Sequence, residues 1–123
     1  MPSPNFVILY VENPLASAEF YAALLEKAAI ETSPTFAMFA LNADTMLGLW
    51  ARATVQPQAL MSGGGAELAI TLENHETVDA ICRAWRENGI TIVQQPTTMD
   101  FGYTFTALDP DGHRLRVFAP PKP

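Results

Sequence analysis

The chain has 123 residues, enough for one compact domain or for two very small modules sharing a core, with no room for a separate regulatory domain. Apolar residues make up 49% and charged residues 16%, which suits a packed core and excludes a disordered tail. A formal charge of -6 and a pI near 4.7 argue against nucleic acid or an anionic membrane surface as partner, because a polyanion is repelled over most of such a surface.

Residues 5–11 alternate with β-branched and aromatic side chains, which predicts a strand. Asn13-Pro14 then supplies a helix cap and a proline suited to the first helical position. From Ala16 to Ala28, the pairs Phe20/Leu24 and Tyr21/Leu25 lie four apart and predict one apolar helix stripe. Two short strands follow, Thr35 to Leu41 and Thr45 to Arg52, joined by the turn-prone Asn42-Ala43-Asp44. Residues 56–66, with Pro57 and Ser62-Gly63-Gly64-Gly65, have no periodicity and read as a flexible connection. The glycine run lacks the lysine and helix start of a phosphate loop.

The pattern then begins again. Glu67 to Leu72 reads as a strand and Asn74 as a cap. Val78, Ile81, Cys82 and Trp85 mark a helix face, and Gly89 ends it. Ile90 to Gln94, Tyr103 to Leu108 and Arg114 to Phe118 read as strands, the last two joined by Asp109-Pro110-Asp111-Gly112-His113. Residues 6–13 lie over residues 67–74 with the same alternation and the same Glu-Asn ending, and Leu47-Gly48-Leu49-Trp50-Ala51 lies over Leu115-Arg116-Val117-Phe118-Ala119. A duplicated unit explains both halves: one module about residues 5–53, a linker about 54–66, and a second module about 67–119.

Cys82 is the single cysteine, so no intrachain disulfide can form, and its apolar neighbours predict a buried, inert thiol. Residues 1–6 show no basic stretch followed by an apolar run, and no segment approaches the roughly 20 apolar residues a membrane span requires. The expectation is a cytoplasmic protein that is not exported. His75 at a helix start and His113 in a turn have no serine or cysteine partner by motif and read as structural.

The passage Val11-Glu12-Asn13-Pro14 leading to Phe20-Tyr21, and the late turn Asp109-Pro110-Asp111-Gly112-His113 entering the last strand, together resemble the vicinal oxygen chelate superfamily. Its members include glyoxalase I, extradiol dioxygenases and bleomycin-resistance proteins. The resemblance spans nearly the whole chain and implies an α+β fold of two tandem βαβββ modules, one glyoxalase-like domain over 1–123. Their curled mixed sheets form a cup, commonly completed by a second chain in a homodimer. In metal-dependent members, His or Gln on the first strand of each module and Glu on the last point into that cup. Motif matching places these positions at Phe6, Gly48, Glu67 and Arg116: a ring, no side chain, one carboxylate and a cation. A metal ion requires several N, O or S donors around one point, so no metal or other cofactor is expected at these positions.

Strand alternation extends those positions to an inner surface. Phe6 brings Ile8 and Tyr10; Gly48 brings Met46, Trp50 and Arg52; Glu67 brings Ala69 and Thr71; Arg116 brings Arg114 and Phe118. The opposite parity, including Val7, Leu9, Val11, Leu47, Leu49, Leu68, Ile70, Leu72, Leu115 and Val117, is aliphatic and should lie under the helices. Rings with a few charges suit a planar, partly apolar ligand, with Arg116 or Arg52 holding a carboxylate and Gly48 leaving clearance beside Trp50. The same rings would also serve as plain core, and both readings of Trp50 stay open. Trp85, on the helix stripe, reads as core.

The segment Leu47-Gly48-Leu49-Trp50 and the ending from Asp109 to Val117 look similar to phenazine-antibiotic resistance proteins, a metal-free branch that sequesters an aromatic drug. Glu67 and Arg116 are expected to pair, which lowers the carboxyl pKa and argues against general acid or base work, so no catalytic residue is assigned. The leading expectation is a non-enzymatic binding protein for a small planar aromatic compound. Its ligand-binding residues would be Phe6, Ile8, Tyr10, Met46, Gly48, Trp50, Arg52, Glu67, Arg116 and Phe118. The alternatives are a lyase, isomerase or dioxygenase using displaced metal ligands, and an interaction module with a filled cup.

Overall fold

The computed structural model describes residues 3–122. The chain divides into two compact units whose boundary lies between Gly63 and Gly64. Each has the same plan, an α+β arrangement of one helix against a four-stranded mixed sheet.

In the first unit, β1 (Phe6–Val11) leads into α1 (Pro14–Leu25), followed by β2 (Glu31–Thr32), β3 (Phe36–Ala40) and β4 (Met46–Ala51), and the sheet order is β1-β4-β3-β2. β1 and β4 run parallel, and α1 lies within the connection between them. The Asn13 carboxamide oxygen accepts from the backbone N–H of Leu15 at 3.1 Å and of Ala16 at 3.3 Å, so the helix starts at Pro14 behind the expected Asn13 cap. It stops at Glu26, whose φ of 54° leaves the helical region, short of the expected Ala28. The buried stripe is Pro14, Ser17, Ala18 and Tyr21, while Phe20, Leu24 and Leu25 stay half-buried. Tyr21, fully buried, is thus the ring that anchors α1, and small neighbours let it approach the sheet.

The second unit repeats the plan with β5 (Glu67–Thr71), α2 (His75–Glu87), β6 (Thr91–Met99), β7 (Gly102–Leu108) and β8 (Arg114–Ala119), in the order β5-β8-β7-β6. Asn74 caps α2 by accepting from the Thr77 N–H at 2.9 Å. Val78, Cys82 and Trp85 are buried, and Trp85 meets Phe105 edge to face with ring centroids 5.4 Å apart. Tyr103 donates to the Asp79 carboxylate at 2.7 Å and ties β7 to α2.

The expected end of β6 at Gln94 falls short by five residues. The strand continues through Pro96 to Met99, with register shifts between Ile92 and Gln94 and between Gln94 and Thr97. β6 ends the sheet, so a proline can sit in it where the ladder is irregular. The two-residue β2 carries no alternation of its own and is held by pairing with β3.

Burial alternates cleanly along β3 and β8, while β4 and β7 are also buried on the other parity, at Gly48 and at Thr104 and Thr106. Val11, Ala37, Phe39, Leu47 and Leu49 in the first unit, and Phe105, Ala107, Leu115 and Val117 in the second, are the buried sheet faces. Val7, by contrast, is 36% exposed, and Leu9, Leu68, Ile70 and Leu72 are half-buried. Val7 and Leu9 lie on β1 and Leu68 and Ile70 on β5, the end strands of their sheets, where a single neighbour covers them.

Candidate functional site

The face of the first sheet opposite α1 is set by register. Phe6, Ile8 and Tyr10 of β1 lie opposite Met46, Gly48 and Trp50 of β4, which in turn face Ala40, Met38 and Phe36 of β3. These side chains share one side of the pleat. Phe6 is 40% and Ile8 45% exposed, while Tyr10, Met46, Trp50, Phe36 and Met38 are half-buried. Tyr10 and Trp50 meet edge to face with centroids 6.3 Å apart. The result is an apolar surface of rings and thioethers in partial contact with water.

Gly48 is buried, and a Cβ built on it would lie 2.8 Å from both Phe36 Cζ and Phe6 Cε1. The expected clearance beside Trp50 is therefore occupied by the chain's own rings, and Phe36 is the ring the sequence reading did not place here. Arg52 departs from the expected strand. β4 stops at Ala51, and residues 52–54 form a turn of 3-10 helix in which Arg52 reaches Glu12 at 3.6 Å. Its charge belongs to a shallow groove with Gln56 and Gln58, off the ring-bearing strands.

The matching face of the second sheet is polar. Glu67, Ala69 and Thr71 of β5 lie opposite Arg114, Arg116 and Phe118 of β8, and Arg116 and Phe118 face Thr106 and Thr104 of β7. Glu67 and Arg116 form the expected ion pair, and it is bidentate: Nε donates to Oε1 at 2.7 Å and Nη2 to Oε2 at 2.9 Å. Arg116 Nη1 donates to Gln94 Oε1 and Thr104 Oγ1, each at 3.1 Å. Thr106 Oγ1 also donates to Gln94 Oε1 at 2.9 Å, and Thr104 Oγ1 donates to the Val117 carbonyl at 3.0 Å. The guanidinium stacks over Phe101 at 5.4 Å, and Phe101 meets Phe118 edge to face at 5.6 Å. The hydrogen bond from Arg116, outweighing partial burial, holds the Glu67 carboxyl below the usual carboxylate range, and Arg116 is raised in turn.

Gln94, Phe101, Thr104 and Thr106 were not legible as site residues. Neutral threonine and glutamine carry no motif, and only the β6–β7–β8 register brings them to Arg116. His75 stacks on Tyr103 at 4.1 Å between ring centroids. His113 donates its backbone N–H to the Asp109 carboxylate at 2.9 Å within the tight turn. Cys82 is buried and burial pushes its thiol up, as its surroundings implied.

The four positions that hold a metal in related folds do not offer a donor set. Phe6 contributes a ring, Gly48 is capped by Phe6 and Phe36, and both Glu67 oxygens accept from a fixed cation. Among the described residues no three His, Cys, Asp or Glu side chains gather where they could hold an ion, and no helix is long and apolar enough to cross a membrane.

The Glyoxalase/Bleomycin resistance protein/Dioxygenase superfamily profile matches residues 3–117. A phenazine antibiotic resistance protein, EhpR, from Enterobacter agglomerans is 30% identical over 118 residues, covering 94% of this chain and 90% of that protein. The solution NMR structure of an Agrobacterium tumefaciens protein is similar with a TM-score of 0.90 and 52% identity, over 99% of this chain and 100% of the other. A glyoxalase-related enzyme from Fulvimarina pelagi shares the fold at a TM-score of 0.84 and 20% identity, over 97% of this chain and 88% of its own. With the two βαβββ units in place, the chain belongs to the glyoxalase/bleomycin resistance protein/dioxygenase superfamily.

Proposed function

We propose that this protein binds and sequesters a small planar aromatic compound without a metal, in a drug-binding or antibiotic-resistance role. The observation that carries the reading is the ring-bearing face of the first sheet. Phe6, Tyr10, Phe36 and Trp50 gather around a glycine on a surface left partly exposed, where a planar molecule can replace water against π-faces. The similarity to a protein named for phenazine resistance supports the same ligand class. In the second unit, Arg116 matches the charge of Glu67 and holds it as a carboxylate, so this carboxyl is not poised for proton transfer.

A homodimer completes the proposal. Phe6, Val7 and Ile8 are all at least about a third exposed on both sides of an end strand, and a second copy covering them would bury apolar surface. The location is proposed to be cytoplasmic, in keeping with the single reduced, buried thiol.

The test is a fluorescence titration with planar aromatic compounds, phenazines among them. Binding quenches Trp50 in the wild type, and calorimetry, which does not depend on that fluorophore, reads about tenfold weaker affinity in Trp50→Ala, the loss expected for one stacking ring. Absence of quenching across such a panel would rule the reading out. Sedimentation of the unliganded protein tests the dimer, which a monomer at micromolar concentration excludes.

A further inference from the structure

We infer that the bound compound is a planar aromatic cation and that Glu31, on the end strand of the ring-bearing sheet, receives its charge. This rests on the binding function proposed above and specifies the class of ligand. Every residue involved belongs to the first compact unit. Register carries the ring-bearing face one strand beyond β3. Glu31 of β2 lies opposite Met38, Met38 opposite Gly48, and Gly48 opposite Ile8, so a row of four crosses the sheet on that face and ends in a carboxylate. Thr32, the other residue of β2, is paired with the buried Ala37 and belongs to the helix side.

The positions of β1, β4 and β3 on this face, three on each strand, carry no charged side chain, which makes Glu31 the charge nearest the rings in register. Glu31 is exposed, and among the described residues it forms no ion pair. Neighbouring strands stand about 4.8 Å apart, so its backbone lies roughly 10 Å from Gly48, within the span of a three-ring molecule stacked over β4 and β3.

The rest of the unit offers an anion little in exchange. Residues 1–63 hold two basic side chains, Lys27 and Arg52, and no histidine. Lys27 Nζ donates to the carbonyls of Ala40 and Leu41 at 3.0 and 2.8 Å, and Arg52 is paired with Glu12 off the ring-bearing strands. Against them stand five carboxylates, those of Glu12, Glu19, Glu26, Glu31 and Asp44, a balance of -3. Such a surface repels an anion and attracts a cation of the same shape. Phe6, Tyr10, Phe36 and Trp50 add ring faces that attract positive charge, and a delocalised cation is weakly hydrated and loses little on leaving water.

The experiment compares three probes of one ring system by calorimetric titration at pH 7, low salt and in the dark: the cation N-methylphenazinium, neutral phenazine and the anion phenazine-1-carboxylate. The wild type is expected to bind the cation about tenfold tighter than phenazine, as ring faces and one carboxylate together allow, and the anion more weakly than phenazine. Glu31→Gln should cut the advantage of the cation to about threefold or less. It should leave the affinity for phenazine within twofold, which also shows that the variant is folded. Glu19→Gln removes the same charge from the exposed side of α1 and should keep the full advantage. If the wild type binds all three probes equally, or prefers the anion, the cation inference fails while the stacking function stands. If Glu31→Gln keeps the advantage, or Glu19→Gln lowers it as much, Glu31 is not the receptor. If none of the probes binds, the binding function itself fails.

Discussion

The interaction between Glu67 and Arg116 can be measured by a double-mutant cycle, and the structure sets its size and asymmetry. In Glu67→Ala the guanidinium, 16% exposed in the native protein, keeps two neutral acceptors, Gln94 and Thr104. Removing one partner costs about 0–1 kcal/mol for an exposed pair and about 3–5 kcal/mol for a buried one, so this intermediate site should lose about 2 kcal/mol. Arg116→Met strands less. Gln94 Oε1 still accepts from Thr106 and Thr104 Oγ1 still donates to Val117. Glu67, 30% exposed, keeps water and a distant Arg114. Its cost should be about 1 kcal/mol. The double variant removes both members of the pair and leaves only the half-exposed Arg114 without its distant contact, so it should lose about 1.5 kcal/mol, well short of the sum. Urea unfolding at pH 7 reads this as midpoints lowered by about 1 M for Glu67→Ala and less for the others.

The pH dependence carries a sign. The folded Glu67 carboxyl lies below its ordinary value of 4.5, so its stabilisation is present above that pH and is lost as pH falls through the folded value. The stability gap between wild type and Glu67→Gln should close in acid. Single-variant losses that add to within about 0.5 kcal/mol, with a gap independent of pH, would refute the claim that the two residues act as a unit.

Gly102→Ala should be among the most damaging single changes, because φ is 142° and the added Cβ would collide with the Ala119 carbonyl oxygen. Loss of about 3 kcal/mol or more is expected by thermal unfolding, and a near-neutral result would contradict a close β7–β8 approach at this residue. Gly48→Ala meets only ring edges, one of them on the 40% exposed Phe6, so it should cost about 1 kcal/mol in the same assay. It should also weaken quenching of Trp50 by displacing the neighbouring rings. Cys82, 2% exposed with its thiol pushed up by burial, should react with a disulfide reagent at the rate of unfolding, and rapid labelling of the native protein would contradict its burial.

Much of the architecture was legible because it follows from local chemistry. Asn13 and Asn74 announce helix starts, and strand alternation separates a buried aliphatic face from an exposed one. The Glu67–Arg116 pair could be foreseen from opposite charges at matched positions on the first and last strands of the second module, which the family resemblance implies are paired. What escaped depends on neighbours remote in sequence. Pro96 looks like a strand stop until β6 proves to be an end strand with shifted register. Arg52 continues the alternation of β4 in sequence, but the backbone turns into a 3-10 segment after Ala51. Phe36 fills the space at Gly48 only because β3 pairs with β4, a contact that no pattern within either strand reveals. Gln94 and Thr104, which complete the shell of Arg116, are neutral residues whose role exists only through the sheet.

The central claim, aromatic binding with no metal, is tested most directly on protein purified without chelator. Metal content is measured by mass spectrometry, and Trp50 quenching by phenazine is titrated before and after dialysis against EDTA. The account predicts far less than one metal ion per chain and the same dissociation constant in both titrations. A stoichiometric divalent ion whose removal abolishes quenching, and whose return restores it, would contradict it.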